Sequence, residues 1–450
     1  MTKQRYSQVF IDNRWGATAS KHFNARRKKL AQSAGGPVLL WGVPHSVGHP
    51  YSWAVVNAPV FQDPFFLYLT GITQPGVILG IRQLPDGTVE DALFLPKKDS
   101  KAEFWEGPRY GFEARGSHTE LKKQTGFTHI LPITQLRQWA AESAQSQKIH
   151  TFWTKSKPLH IQKLTRWGNQ DGYEVTSLGA LRYSAALEFD PQDLSNLRDA
   201  HAKTARIFDA LVQALPQAQS EQDMHAVMLK EIAAATPKGP SFAPIIASGA
   251  NAAILHYTKN DDLWDRDELL LLDFGIRDPL IVTDVTRTVP ISGKFNPLQK
   301  LLYDIVLETQ LGVQSQVKAG VSIHLLNDWC WTNIGNLLDE RFYRHGGKAK
   351  MAYSANKPHF VSHLIGYAVH DGDPTRKYRH RPLEAGMIIS NEPGIYGEFE
   401  ITLGGQRYHE TIGIRIEDDL LVGKTGCEVL SAAIPKTVAE IEKAIGLAYR

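Results

Sequence analysis

The chain has 450 residues, of which 42% are hydrophobic and 22% charged, enough for two or three domains with substantial cores; a disulfide miniprotein and a disordered tail are both excluded. Its formal net charge of +3 is too small for a surface built as a whole on phosphate backbone or anionic membrane. The two cysteines, Cys330 and Cys427, cannot form a zinc ribbon or a redox CxxC pair, so no reliance on disulfides is expected and a reducing compartment is.

No window approaches the roughly 18 consecutive apolar residues of a membrane helix, and the first residues lack the apolar run of a secretory signal. The expectation is a cytoplasmic protein with neither membrane nor nucleic acid as partner. The first thirty residues are basic, with Lys3, Arg5, Arg14, Lys21, Arg26, Arg27, Lys28 and Lys29 against Asp12. We read this stretch as a helix capped by Asn24 whose exposed face is Arg26, Arg27, Lys28 and Lys29, in preference to a transit peptide or basic arm.

From 36 to about 160, short apolar runs alternate with polar or helical stretches. Val38–Trp41, Val77–Leu79, Ala92–Leu95, Ile130–Leu131 and Thr151–Trp153 read as strands, with a helix over Thr134–Gln147; together they form an α/β unit. Seven of the ten tryptophans precede residue 170, and a boundary near 170–188 divides the chain into domains 1–175 and 176–450. Core packing is the plain role of these tryptophans, and an apolar interface between copies is the alternative.

Strong helix signatures follow. Asp190-Pro191-Gln192-Asp193 supplies cap, proline and first-turn acid, ahead of Leu194, Leu197, Ile207, Phe208 and Leu211 at helical spacing. Ser220 with Asp223 opens a second helix, and Asn296-Pro297-Leu298-Gln299 a third. Leu269–Phe274, Ile281–Val289, Met387–Glu392 and Ile412–Glu417 read as strands of a sheet under these helices, and the fold class is α/β (α+β).

All four strands carry acids that a plain strand pattern does not place there. A hairpin turning between 278 and 279 sets Asp273 directly opposite Asp284, carbons about 5 Å apart. Like charges so placed repel, and something cationic must compensate. Glu392 ends one strand, and in Ile412–Glu417 alternation puts Arg415 and Glu417 on one face. Four such carboxylates with a histidine suit two divalent cations such as Mn²⁺, with Zn²⁺ or Co²⁺ able to substitute. His359, His363 and His370 all qualify as that histidine and spacing does not choose among them; His256 is a fourth candidate.

Taken together, ILHYTKND, LLLLDFG, TDVTRTVPISGKF, HFVSHLIGYAVHD, NEPGIY and GIRIEDD resemble the pita-bread metallopeptidases, most closely their aminopeptidase P (Xaa-Pro aminopeptidase) branch. FQDPFFLYLTGITQPGVIL and FWEGPRYG resemble that branch's creatinase-type, ribonuclease-H-like N-terminal domain. The resemblance implies a C-terminal pita-bread domain with a curved antiparallel sheet and covering helices. It also implies that Asp273 binds one metal, that His363 and Glu392 bind the other, and that Asp284 and Glu417 bridge them. His256 and His370 would contact substrate or intermediate, His359 would lie near the proline side, and Arg415 would orient a carboxylate.

The implied reaction is attack by a metal-bridging hydroxide on the bond between an N-terminal residue and a penultimate proline. Glu392 would shuttle the proton, and His256 and His370 would stabilise the oxyanion. The family's tendency to dimers or tetramers implies a homo-oligomer. Asp371–Pro374 and Phe399–Tyr408 depart from the usual pattern, which bears on fine substrate preference. Prolidase and the organophosphorus acid anhydrolases share the ligand frame, and some pita-bread relatives are non-catalytic binding proteins that lack ligands this chain retains; creatinase works without metals.

Overall fold

The computed structural model describes residues 19–43, 62–114, 118–145, 148–153, 156–179, 181, 189–353, 357–372 and 376–449. They divide into two compact units, one drawn from Met1–Ala186 and Gly372–Arg376, the other from Leu187–Asp371 and Lys377–Arg450.

The first unit is a six-stranded mixed sheet. Its strands are β1 (Val38–Trp41), β2 (Ile78–Gln83), β3 (Val89–Leu95), β4 (His129–Pro132), β5 (Lys148–Thr151) and β6 (Glu174–Ser177), in the order β4-β3-β2-β1-β5-β6. The apolar runs at Val38–Trp41, Val77–Leu79 and Ala92–Leu95 supply β1 to β3, each of which buries most of its residues; Ile130–Leu131 lies within β4, whereas Thr151–Trp153 meets β5 only at Thr151 and β6, with one buried residue of four, was not foreseen. Helix α1 (Ala19–Ala34), α2 (Leu136–Ala144) and α3 (Leu159–Asp171) complete the layers. Leu39, Phe94, Trp139, Ile149 and Leu164 form the core, with Trp41, Trp153 and Trp167 packed at its edge. Core packing is therefore the role of these four tryptophans. Trp105, by contrast, is 70% exposed beside Phe104 at 83%, while Trp15 and Trp53 lie outside the described residues, as do Lys3, Arg5, Asp12 and Arg14.

The basic stretch is not the capped, outward-facing helix end expected from the sequence. Asn24 is inside α1 and not its cap, donating to Asp91 and to the carbonyl of Gly126. Arg26 and Arg27 are buried, and only Lys28 and Lys29 face outward. Arg27 pairs with Asp91 at 2.5 Å and donates to the carbonyls of Leu69 and Thr125, while Arg26 lies over the Tyr68 ring. A buried guanidinium is tolerable because its donors and charge are met, a long-range arrangement that local composition does not announce.

The second unit contains three antiparallel three-stranded sheets. One joins β7 (Ile245–Ser248), β8 (Leu269–Phe274) and β9 (Val285–Pro290). The second joins β10 (Lys348–Met351), β12 (Gly394–Leu403) and β13 (Gln406–Arg415), and the third β11 (Ile388–Asn391), β14 (Asp418–Val422) and β15 (Cys427–Val429). The departing segment Phe399–Tyr408 spans the end of the β12–β13 hairpin, with Gly404 and Gly405 at its tip; Asp373 and Pro374 lie outside the described residues.

Long helices accompany these sheets: α4 (Pro191–Ala214), α5 (Glu221–Ala235), α6 (Pro297–Gln316), α7 (Ile323–Arg341) and α8 (Val438–Ala448). Asp190 and Asn296 close capping boxes and Ser220 caps α5, all at the positions read from the sequence. Helix α7 was not foreseen, although Ser322 caps it by accepting from Leu325 N.

Candidate metal centre

The carboxylates come from strand ends that meet. β8 delivers Asp273, opposite Thr286 of β9, and β13 delivers Arg415, after which Glu417 N donates to the Thr286 carbonyl. The β8–β9 register thus differs by two residues from the expected one, since Asp273 faces Thr286 and not Asp284. The tip is longer than a tight turn: Arg277 bridges Val282, Asp278 N donates to the Ile281 carbonyl and the Thr283 hydroxyl accepts from Ile276 N. A shift of two preserves the face of every side chain where a shift of one would reverse it. Asp273 and Asp284 therefore share a face as diagonal neighbours.

Asp273, Asp284, His363 and Glu417 are all buried, whereas Glu392, one residue past β11, keeps 16% of its side chain accessible. Asp284, His363 and Glu417 each bring a donor atom within 4.8 Å of the others. His363 Nε2 stands 3.5 Å from Asp284 Oδ2 and 3.4 Å from Glu392 Oε1. Its Nδ1 lies 3.3 Å from the Leu364 carbonyl, which can only accept, so the proton belongs on Nδ1 and the Nε2 lone pair points into the acids. Of the three histidines that spacing left open, only His363 enters the cluster this way.

Arg415 organises the opposite wall. It donates to Asp273 Oδ2 at 2.6 Å, to the Thr286 hydroxyl at 3.2 Å and to the Tyr396 hydroxyl at 3.2 Å. Thr286 in turn donates to Glu417 Oε2 at 2.7 Å. Tyr396 lies 3.1 Å from His359 Nε2, and His359 Nδ1 is 3.0 Å from the Phe360 carbonyl. Because arginine only donates and a carbonyl only accepts, the chain has one direction: Arg415 to Tyr396, Tyr396 to His359 Nε2, and His359 Nδ1 to Phe360. Burial, aided by the nearby Arg415 charge and opposed by the Phe360 hydrogen bond, pulls the His359 imidazole down to about 3, so the ring stays neutral. The His370 ring stands edge-on to His363 at 4.3 Å. His256 and His370 are both exposed.

The cluster carries more negative charge than its own residues can neutralise. Burial and the proximity of Asp273 and Asp419 hold the Asp284 carboxyl well above its usual range; burial with Asp284, Glu392 and Asp273 does the same to Glu417. Glu392 is pushed up to about 7 by burial, with His363 and Arg415 opposing. Asp273 Oδ1 is buried and receives no hydrogen bond. Oxygen-rich, deprotonatable and short of positive charge, this donor set fits divalent cations, whose binding would displace those protons.

Several supporting residues escaped the sequence reading. Tyr396 lay within the NEPGIY run and Thr286 within TDVTRTVPISGKF. Asp419 accepts from Asp284 N at 2.9 Å and faces the buried His201 of α4 at 3.1 Å. Ser390 accepts from His363 N. The third acid of GIRIEDD, directly ahead of an apolar run, was the available signal for Asp419; His201 had none, since its partner is remote in sequence.

Residues 195–424 match the model of metallopeptidase family M24, and residues 23–153 that of the aminopeptidase P N-terminal domain. Xaa-Pro aminopeptidase 3 of Mus musculus is 31% identical over 397 residues, covering 85% of this chain and 76% of its own. Xaa-Pro aminopeptidase of Haemophilus influenzae is 30% identical over 403 residues, covering 85% and 88%. Among solved structures, aminopeptidase P of Escherichia coli with the inhibitor Pro-Leu superposes with a TM-score of 0.79 over 96% of this chain and 99% of that one, at 24% identity, a likeness of fold. The fold is therefore that of an N-terminal α/β domain followed by a pita-bread domain, and the chain belongs to metallopeptidase family M24, the metal-dependent hydrolases.

Proposed function

We propose that the chain is an Xaa-Pro aminopeptidase working with two divalent cations, manganese first, with zinc or cobalt able to substitute. The observation that carries this reading is His363 Nε2 facing Asp284 and Glu392, across from an Asp273 carboxylate braced by Arg415. In it, Asp273 would hold one cation, His363 and Glu392 would hold the other, and Asp284 and Glu417 would serve both. When bound there, divalent cations would supply a nucleophile from water near neutral pH and polarise the scissile carbonyl.

The protein's own groups do the rest. An Xaa-Pro bond is a tertiary amide, so its departing nitrogen carries no hydrogen and must receive one. Glu392, placed between His363 Nε2 and His359, accepts the nucleophile's proton and returns it to the prolyl nitrogen. Exposed His256 and His370 contact the peptide and its developing oxyanion. His359, held neutral and locked by Tyr396, lines the proline side without competing for the proton.

Residues 1–175 are assigned to the N-terminal domain and 176–450 to the catalytic one. The exposed pair Phe104 and Trp105 supports a homo-oligomer, dimer or tetramer, through the N-terminal domain. No described helix is long and apolar enough to cross a membrane, and free Cys330 and Cys427 support the cytoplasm as compartment. The deciding experiment offers Gly-Pro-Xaa tripeptide and Gly-Pro dipeptide side by side. Release of glycine from the tripeptide is expected, and turnover of the dipeptide alone would reassign the chain to the dipeptidases.

A further inference from the structure

Glu221, the first residue of α5, is fully buried, yet its carboxylate gathers one loop. Oε1 accepts from Ser248 N at 2.8 Å, Ser248 Oγ at 2.9 Å and Asn251 Nδ2 at 3.0 Å; Oε2 accepts from the Tyr257 hydroxyl at 2.7 Å and Asp262 N at 3.1 Å. Backbone bonds add to this, since Glu221 N donates to the Asp262 carbonyl at 2.9 Å. Within the same loop Asn260, in the left-handed region at φ 52°, accepts from Ile246 N and donates to the Pro244 carbonyl. Residues 248–262 are thereby drawn onto the start of α5.

The loop's other side rests on the metal-site strand. At Gly413, two residues before Arg415, any Cβ would fall 2.0 Å from the Ala252 carbonyl oxygen, so backbone lies directly on backbone. Between these anchors the chain passes through exposed His256 to buried Tyr257, whose hydroxyl is one of the donors to Glu221. None of these partners of Glu221 is one of the candidate metal ligands Asp273, Asp284, His363, Glu392 and Glu417.

We propose that Glu221 is a positioning residue for substrate binding, which ties residues 248–262 into one conformation and so sets where the exposed His256 stands. The inference rests on the reading of His256 as a substrate contact. A carboxylate is required because both oxygens must accept. An amide in its place turns an N–H either towards Asp262 N or towards Ser248 N and Asn251 Nδ2, and none of these donors can reverse.

The test measures bound metal, kcat and KM for a Gly-Pro-Xaa tripeptide in wild type, Glu221→Gln, His256→Ala and the double variant, and the His256 imidazole resonance in metal-depleted protein. Glu221→Gln is expected to keep its metal, raise KM about tenfold, the scale of one lost hydrogen bond to a charged group, shift the His256 resonance and add nothing in the His256→Ala background. An unchanged KM, or effects that add in the double variant, would overturn the proposal. A silent His256→Ala would instead remove the reading beneath it. Should Glu221→Gln not fold, Tyr257→Phe keeps the carboxylate and removes one donor; a smaller rise in KM, absent beside His256→Ala, is expected, and an unchanged KM contradicts the proposal.

Discussion

Arg415 and Asp273 form an ion pair between two buried side chains, Nη2 to Oδ2 at 2.6 Å. The same guanidinium reaches Thr286 and Tyr396, so a fork is needed where a point charge would serve one acceptor. Arg415→Lys should weaken metal binding about 10- to 100-fold with the fold intact, as read by calorimetric titration of metal into depleted protein. Unaltered affinity would show that Arg415 balances charge without orienting Asp273.

The raised carboxylates fix the sign of a pH effect on metal-depleted protein. Asp284, Glu392 and Glu417 hold protons in the folded state above the pH at which they lose them unfolded, with Glu392 near 7. The folded state then binds more protons, and stability falls as pH rises from about 4 through 7. Thermal melts of depleted protein should show that decline, and added Mn²⁺ should abolish most of it; a flat profile without metal would contradict the crowding.

Asp284→Asn separates charge from shape. It should lose metal, yet at pH 8 the depleted variant should be more stable than depleted wild type, because a crowded, buried carboxyl that resists ionisation is gone. Denaturant titration of both proteins after chelation reads the difference.

Arg287 is a structural counterpart. Fully buried, it donates to Asp418 Oδ1 at 2.7 Å and to the carbonyls of Glu417, Thr286, Pro435 and Ile434. Although burial opposes ionisation of Asp418, Arg287 and Lys436 hold its carboxyl far below the usual range. Arg287→Met leaves that charge buried and should cost about 3–5 kcal/mol. Since the Glu417 carbonyl is among the acceptors, metal affinity should fall as well.

What the sequence disclosed follows the range of the interactions involved. Helix starts at Asp190, Ser220 and Asn296 were legible because capping is local, and strands at 269–274 and 388–391 because burial imposes an apolar run. The β8–β9 register was missed by two residues because the tip closes through Arg277 and Thr283, which turn chemistry alone does not predict. Arg26 and Arg27 were misread as surface because their partners, Tyr68 and Asp91, are distant in sequence. By spacing alone His363 was inseparable from His359 and His370, and only the resemblance singled it out; in the fold the Leu364 carbonyl and the two acids give its nitrogens different roles.

The most direct test of the whole account titrates Mn²⁺ into metal-depleted protein while following glycine release from a Gly-Pro-Xaa tripeptide. The account predicts no release at the start, a rise with added metal and saturation at two equivalents per chain. Undiminished release from fully depleted protein, or none at any metal concentration, would contradict it.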